Sequence, residues 1–213
     1  MRESKNPAVG TLASPGDVRI RITAKADHPE EALSMIQRME REIRRRLGTL
    51  IYGVDDETLQ GNIAKELDRL NLTLAVVETF TGGTILQKLT QTGNVSFFQG
   101  AVLPSKTAQR KFLELGQAEF DSLSGDSKGY TDLLSRKVCT AFGTTLGLAQ
   151  WANPLEPSDK EHRIQARYSL STPGGVLNED YLLGGEMSTL RERASIIALD
   201  MLRKYLMNVE RGT

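Results

Sequence analysis

The segment Glu78-Thr79-Phe80-Thr81-Gly82-Gly83-Thr84 concentrates most of what could do chemistry in this chain. It stands between an apolar run, Leu72 to Val77, and a helical pattern through Ile85, Leu86 and Leu89. Open α/β sheets bind ligands at the carboxyl ends of such strands, because free backbone N–H groups and the helix dipole favour an anion there. Gly82 and Gly83 would let the backbone approach a phosphate, and Thr79, Thr81 and Thr84 offer hydroxyl donors. Those five residues form the expected ligand-binding set. The plainer alternative is a capped helix start, with Thr81 as N-cap and the glycines needed only for packing. The segment is neither a P-loop nor GxGxxG, so it names no nucleotide.

Other reactive residues carry less. Arg44-Arg45-Arg46 could meet phosphates, but Glu40 and Glu42 on the same helix make a solvated face the better reading. His162, between Glu161 and Arg163, reads as a surface residue, and Cys139 as core. Trp151 and Asn153-Pro154 end a strand, where a loop residue could meet a ligand, though packing is the better reading. Arg191 and Arg193 could reach an anion from the start of the last helix, or simply coat it. One cysteine allows no internal disulfide, and two histidines cannot build a typical zinc cage, so neither a metal nor a cofactor is expected. With 27 basic and 27 acidic residues, no overall charge draws the chain to nucleic acid or an anionic membrane. No apolar run suits a membrane span, and a cytoplasmic location is expected.

The elements that must position these residues follow from periodicity. Residues 1–16 read as an extended lead with turn formers at Asn6-Pro7 and Ser14-Pro15-Gly16. Residues 17–54 read as a small α+β module: an alternating strand from Val18 to Ala24, an amphipathic helix from His28 to Leu47, and a short strand at Leu50-Ile51-Tyr52. Asp27 with Glu30 suggests a capping box there. Residues 55–213 read as a larger α/β domain. Its first helix opens at Asp55-Asp56 and buries Leu59, Ile63, Leu67 and Leu70. The apolar run at Leu72 is a strand buried on both faces. After it come a strand from Phe97 to Leu103, a helix from Ser105 to Leu115, a polar stretch from Asp121 to Lys128 and a helix around Leu133 to Thr144. The strand Leu146 to Trp151 precedes a hairpin, Ile164 to Ser171 and Val176 to Leu183, turned by Thr172-Pro173-Gly174-Gly175. A last helix buries Leu190, Ala194, Ile197, Met201 and Leu202. The order predicts a three-layer α/β/α mixed sheet.

Several of these segments together resemble the CinA competence/damage-inducible family. They are Asn6-Pro7, Pro15-Gly16, Arg21-Ile22-Thr23-Ala24, Tyr52-Gly53, Asp55 to Leu59, Leu72 to Ala75, Glu78 with Thr81-Gly82-Gly83, and Leu190-Arg191-Glu192-Arg193-Ala194. The resemblance implies a KH-like module followed by a CinA C-terminal-type domain, whose family activity is metal-free hydrolysis of nicotinamide mononucleotide to nicotinate mononucleotide and ammonia. It also implies a molybdopterin-binding-like domain ahead of this region in full-length relatives, which would make this chain a fragment or a shortened form. A homo-oligomer fits the resemblance, and a pyridine nucleotide or another phosphorylated small molecule is the ligand it suggests.

The departures matter as much. The family's ESCTGG carries a serine nucleophile, and here that position is Thr79, followed by Phe80. The lysine of its YSNxxK segment falls on Gln109, when the segment is aligned on Ser105. Its TGIAGP loop corresponds to Trp151 through Pro157, and the arginine of its GDR becomes Met187. A neutral glutamine cannot take a proton from a hydroxyl, and Phe80 and Trp151 are large enough to fill substrate space. The expectation is a catalytically degenerate domain, leaning away from an enzyme and kept for ligand binding, assembly or regulation. The alternative is a working amidase with Thr79 or Ser105 as nucleophile, Lys106 or Lys111 as base, and backbone amides near Gly82 as oxyanion donors. A nucleic-acid-binding module acting through the first helix is a further alternative, though no GxxG loop is present.

Overall fold

The computed structural model describes residues 6–93, 98–158 and 161–211, and its contacts divide the chain into two units, Met1–Asp56 and Glu57–Thr213. In the first unit, β1 (Ala8–Ser14) and β2 (Asp17–Thr23) pair antiparallel from Ala8 opposite Thr23 to Ser14 opposite Asp17. The expected extended lead is therefore one arm of a hairpin turned by Pro15-Gly16; the expected lead's first residues, 1–5, lie outside the described residues. Asn6 lengthens the pairing: its amide nitrogen donates to the Lys25 carbonyl at 2.8 Å and its oxygen accepts the Lys25 N–H at 2.9 Å. Ala, Gly, Thr and Ser dominate β1, so it lacks the apolar alternation that marks a strand with a buried face.

Helix α1 (Pro29–Leu47) starts from His28, which makes no side-chain cap, so the Asp27–Glu30 capping box does not form. Proline occupies the first turn, where a missing N–H costs nothing. Ile36, Met39 and Leu47 are half-buried and Ile43 is buried, as the spacing predicts, while Leu33 stays exposed and Ala32 turns inward. The three arginines of the last turns pair with acids of the same helix, Arg44 with Glu40 and Arg45 and Arg46 with Glu42. The expected strand at Leu50 to Tyr52 is absent: Gly48–Leu50 forms a 3-10 turn and the sheet holds only β1 and β2. The Tyr52 hydroxyl instead donates to Asp17 at 2.9 Å.

In the second unit, α2 (Leu59–Arg69) begins later than Asp55-Asp56, because Thr58 is its N-cap and accepts the Gly61 N–H at 3.1 Å. Asp55 itself sits at φ 51, outside helical backbone. Next come β3 (Leu74–Glu78), α3 (Thr84–Thr90), β4 (Phe98–Val102), α4 (Lys106–Leu113), α5 (Gln117–Ser124), α6 (Ser127–Phe142), β5 (Leu146–Ser158), β6 (Glu161–Thr172), β7 (Gly175–Gly185) and α7 (Met187–Arg211). Phe97, the expected start of β4, lies outside the described residues. Helix α5 takes the first half of the stretch read as merely polar, since Phe120 gives it an anchor buried in the core.

The sheet order is β4-β3-β5-β6-β7, with β3 parallel to β4 and β5 and the last two pairings antiparallel. This is the mixed α/β architecture that the sequence implies. On one face Ala75, Val77 and Ala149 pack against Leu113, Phe120, Tyr130, Leu134 and Val138 of α4, α5 and α6. Gly147 permits that approach, because a Cβ there would lie 2.1 Å from the Ser135 carbonyl. The opposite face carries α2, α3 and α7.

Strand β5 runs seven residues past Trp151, the strand end that the sequence suggests. The long β6–β7 hairpin supplies a partner for it, as in Trp151 opposite Arg167 and Pro154 opposite Ile164. On its other side β3 stops at Glu78, opposite Gln150, so Pro154 lies on a free edge that tolerates its missing N–H.

Candidate functional site

Glu78 ends β3 fully buried, an unusual place for a carboxylate. Its oxygens accept the backbone N–H groups of Gly83 at 2.9 Å, Ile85 at 3.2 Å and Leu86 at 2.8 Å, and the Thr81 hydroxyl at 2.6 Å. The side chain thus caps the start of α3 from inside, with charge-assisted bonds and the helix dipole offsetting its burial. Gly83, not Thr81, is the N-cap residue, and it makes no side-chain cap of its own. Gly82 at φ 69 and Gly83 at φ 98 hold left-handed backbone, which is why this turn uses glycines. The donors expected to face a phosphate are therefore turned onto a carboxylate of the chain itself.

Gln150 of β5, also fully buried, satisfies the other half of the turn. Its side-chain oxygen accepts the N–H groups of Phe80 and Thr81, each at 3.2 Å. Its backbone carbonyl accepts both the N–H and the hydroxyl of Thr79, each at 3.1 Å. Two backbone donors on one atom fix that atom as the oxygen, which leaves the Gln150 amide nitrogen buried without a partner. Such an orphan costs about 1–3 kcal/mol. The Thr84 hydroxyl donates to the Thr81 carbonyl at 2.8 Å, so all three threonine hydroxyls of the expected ligand set donate inward.

The second half of the expected dyad is equally tied into the fold. Gln109 is buried, with its amide nitrogen donating to the Leu103 carbonyl at 2.8 Å and its oxygen accepting the Tyr130 hydroxyl. Burial holds the Tyr130 hydroxyl above the ordinary tyrosine range. Its ring meets Phe120 and Trp151 edge to face, at 5.8 and 6.4 Å between centroids. Trp151 is thus a packing residue beside the core. Ser105 is the N-cap of α4, accepting the Ala108 N–H at 3.2 Å, while Lys106 and Lys111 are exposed.

Helix α7 brings two sequence candidates to the turn. The Arg191 guanidinium lies over the Phe80 ring, 6.0 Å from its centroid, and one of its nitrogens is 3.9 Å from where a Cβ on Gly82 would sit. Lys88 of α3 pairs with Glu192 at 2.6 Å, and Arg193 donates to the Gly184 carbonyl at 3.0 Å. Arg191 is exposed and pairs with no carboxylate among the described residues. Met187 opens α7 half-buried, His162 is exposed, and the Cys139 thiol donates to the Thr144 carbonyl at 2.8 Å. Glu78 and Gln150 are the residues whose part sequence reasoning missed. The signals were an acid before a Gly-Gly turn and a single long polar residue closing the run Leu146-Gly147-Leu148-Ala149-Gln150.

Residues 1–53 match the damage-inducible protein CinA KH domain, and residues 56–206 match the CinA C-terminal domain. A CinA-like protein of Kosmotoga olearia is 30% identical over 206 residues, 95% of this chain and 50% of that protein. A putative competence-damage inducible protein of Caldanaerobacter subterraneus is 32% identical over 208 residues, 96% of this chain and 50% of that one. The chain spans about half the length of these curated relatives. A CinA superfamily structure from Klebsiella pneumoniae superposes with a TM-score of 0.61 at 18% identity, covering 70% of this chain and 96% of that one. One from Agrobacterium tumefaciens gives 0.55 at 16%, covering 74% and 99%. With a family match across most of its length and the fold to go with it, this chain belongs to the CinA family.

Proposed function

We propose that this chain is a CinA-type domain that no longer hydrolyses amides and is kept for ligand binding, assembly or regulation. The observation that carries this reading is that both positions of the expected dyad are occupied by structural bonds. The Thr79 hydroxyl donates to a backbone carbonyl, and Gln109 bridges the Leu103 carbonyl and the Tyr130 hydroxyl. An alcohol needs a positioned base to become a nucleophile at neutral pH, and Gln109 cannot be one. The ligand in this proposal is a pyridine nucleotide or another phosphorylated small molecule in the cytoplasm, met at its anionic end by Arg191, the exposed cation over the Gly82 turn. No helix among the described residues is long and apolar enough to cross a membrane.

The test is ammonia release from nicotinamide mononucleotide. Wild type, Thr79→Ala and Lys106→Ala should all stay at background, since losing a general base alone costs ~100- to 10,000-fold. Robust wild-type turnover that Thr79→Ala or Lys106→Ala abolishes would overturn the reading. Arg191→Ala should weaken calorimetric binding of the same nucleotide while leaving the melting temperature in place.

A further inference from the structure

Gln150 does more than complete a turn. It is the one polar side chain in its run of β5, and its oxygen rests on the N–H groups of Phe80 and Thr81, the two residues that follow Thr79. In acyl transfer, backbone N–H groups of the residue after the nucleophile position are where a substrate's carbonyl oxygen, and then the oxyanion, is held. The group resting there is itself a primary carboxamide, chemically the same as the amide of nicotinamide. It is held by its oxygen alone, with its nitrogen buried and unpartnered. The backbone carbonyl of the same residue accepts a hydrogen bond from the Thr79 hydroxyl. One residue thereby occupies the donors for a substrate oxygen and holds the Thr79 hydroxyl on its own backbone carbonyl.

We infer that Gln150 is an internal carboxamide plug: its side chain fills a carboxamide-binding pair of donors, Phe80 N–H and Thr81 N–H, and excludes amide ligands from them. The inference rests on the proposed function in taking the turn at Thr79 as a relic of an amide-binding site. Removing the plug should open that pair to an external carboxamide, leaving the bonds to Glu78 untouched.

Two measurements on the full chain test it. In hydrogen exchange, the wild-type Phe80 and Thr81 amides should be protected. Gln150→Ala, with Gln150→Val as the variant that keeps strand packing, should cost those two amides roughly tenfold or more in protection. The Gly83 and Leu86 amides, held by Glu78, should keep theirs. In calorimetry, the same variants should bind nicotinamide mononucleotide roughly tenfold more tightly than wild type, the worth of one recovered hydrogen bond. Ribose 5-phosphate, which has no carboxamide, should bind all three alike. Unchanged protection at Phe80 and Thr81, or equal gains for both ligands, would overturn the plug. Should neither variant fold, fast wild-type exchange at both amides overturns it and slow exchange supports it. Wild-type ammonia release with Gln150-dependent protection would sink the proposed function and not this contact.

Discussion

At the scale of single residues, the molecule turns would-be chemistry into structure. Gln109 shows it most directly, because both ends of its amide are used, by the half-buried Leu103 and the buried Tyr130. Tyr130→Phe removes one donor and leaves the Gln109 oxygen buried and unpaired, so it should cost about 1–3 kcal/mol. Gln109→Leu removes both needs of the side chain but orphans the Tyr130 hydroxyl and the Leu103 carbonyl, and should cost at least as much. Urea denaturation of each variant measures this, and a midpoint unchanged in both would mean the bridge is not formed in solution. The turn at Thr79 was legible from its residue types, since an apolar strand running into Thr-Gly-Gly marks a strand-to-helix crossing. Which groups its donors would face was not. Glu78 is adjacent in sequence, but Gln150 reaches the turn from a strand about seventy residues away, and no local pattern encodes that pairing.

At the scale of elements, legibility followed the depth of burial. Strand β3 is buried throughout and reads as an unbroken apolar run. The β6–β7 hairpin reads from Thr172 to Gly175, where the turn fixes the register. Strand β1 was missed because a two-stranded sheet buries little, so its composition carries no alternation. The same thinness sets the energetics of α1, in which Ile43 alone falls to 8% exposure. Truncating a well-buried isoleucine costs ~2–5 kcal/mol. Ile43→Ala should therefore lower the melting temperature of the first unit clearly, half-buried Ile36→Ala less so, and exposed Leu33→Ala hardly at all. Equal losses from Ile43 and Leu33 would mean that the faces of α1 are reversed. Acid should bear on this helix too. Bonds from Arg45 and Arg46 hold the Glu42 carboxyl at about 2, below its ordinary 4.5. A depressed carboxylate stabilises the fold above its unfolded value and loses that contribution as pH falls through the folded one. Because Glu42 is at the surface, salt should erase most of the effect.

At the scale of the whole molecule, alkali probes what acid does not. Tyr52 in the first unit and Tyr181 in the second are each pushed up to about 12, chiefly by burial, and burial also raises Tyr130 and Tyr168 in the second unit. Tyr168 has no hydrogen-bond partner for its buried hydroxyl, and burial outweighs the Arg193 charge that would favour its ionised form. The sign is opposite in direction to that of Glu42. A tyrosine whose folded value lies above its unfolded value of 10.0 contributes stability that is whole below pH 10 and is lost as pH rises towards the folded value. The phenols must ionise to satisfy strong base, and the fold that buries them must open for that to happen. Three of these four tyrosines belong to the second unit, and two of those, Tyr130 and Tyr168, are almost wholly inaccessible. Phenolate absorbance followed together with circular dichroism, from pH 9 to about 12.5, should therefore show a cooperative rise that coincides with loss of helical signal. A denatured sample should titrate smoothly near 10. If the native chain also titrates near 10 with its helical signal intact, these rings are not buried in solution, and the Tyr130–Gln109 bridge goes with them.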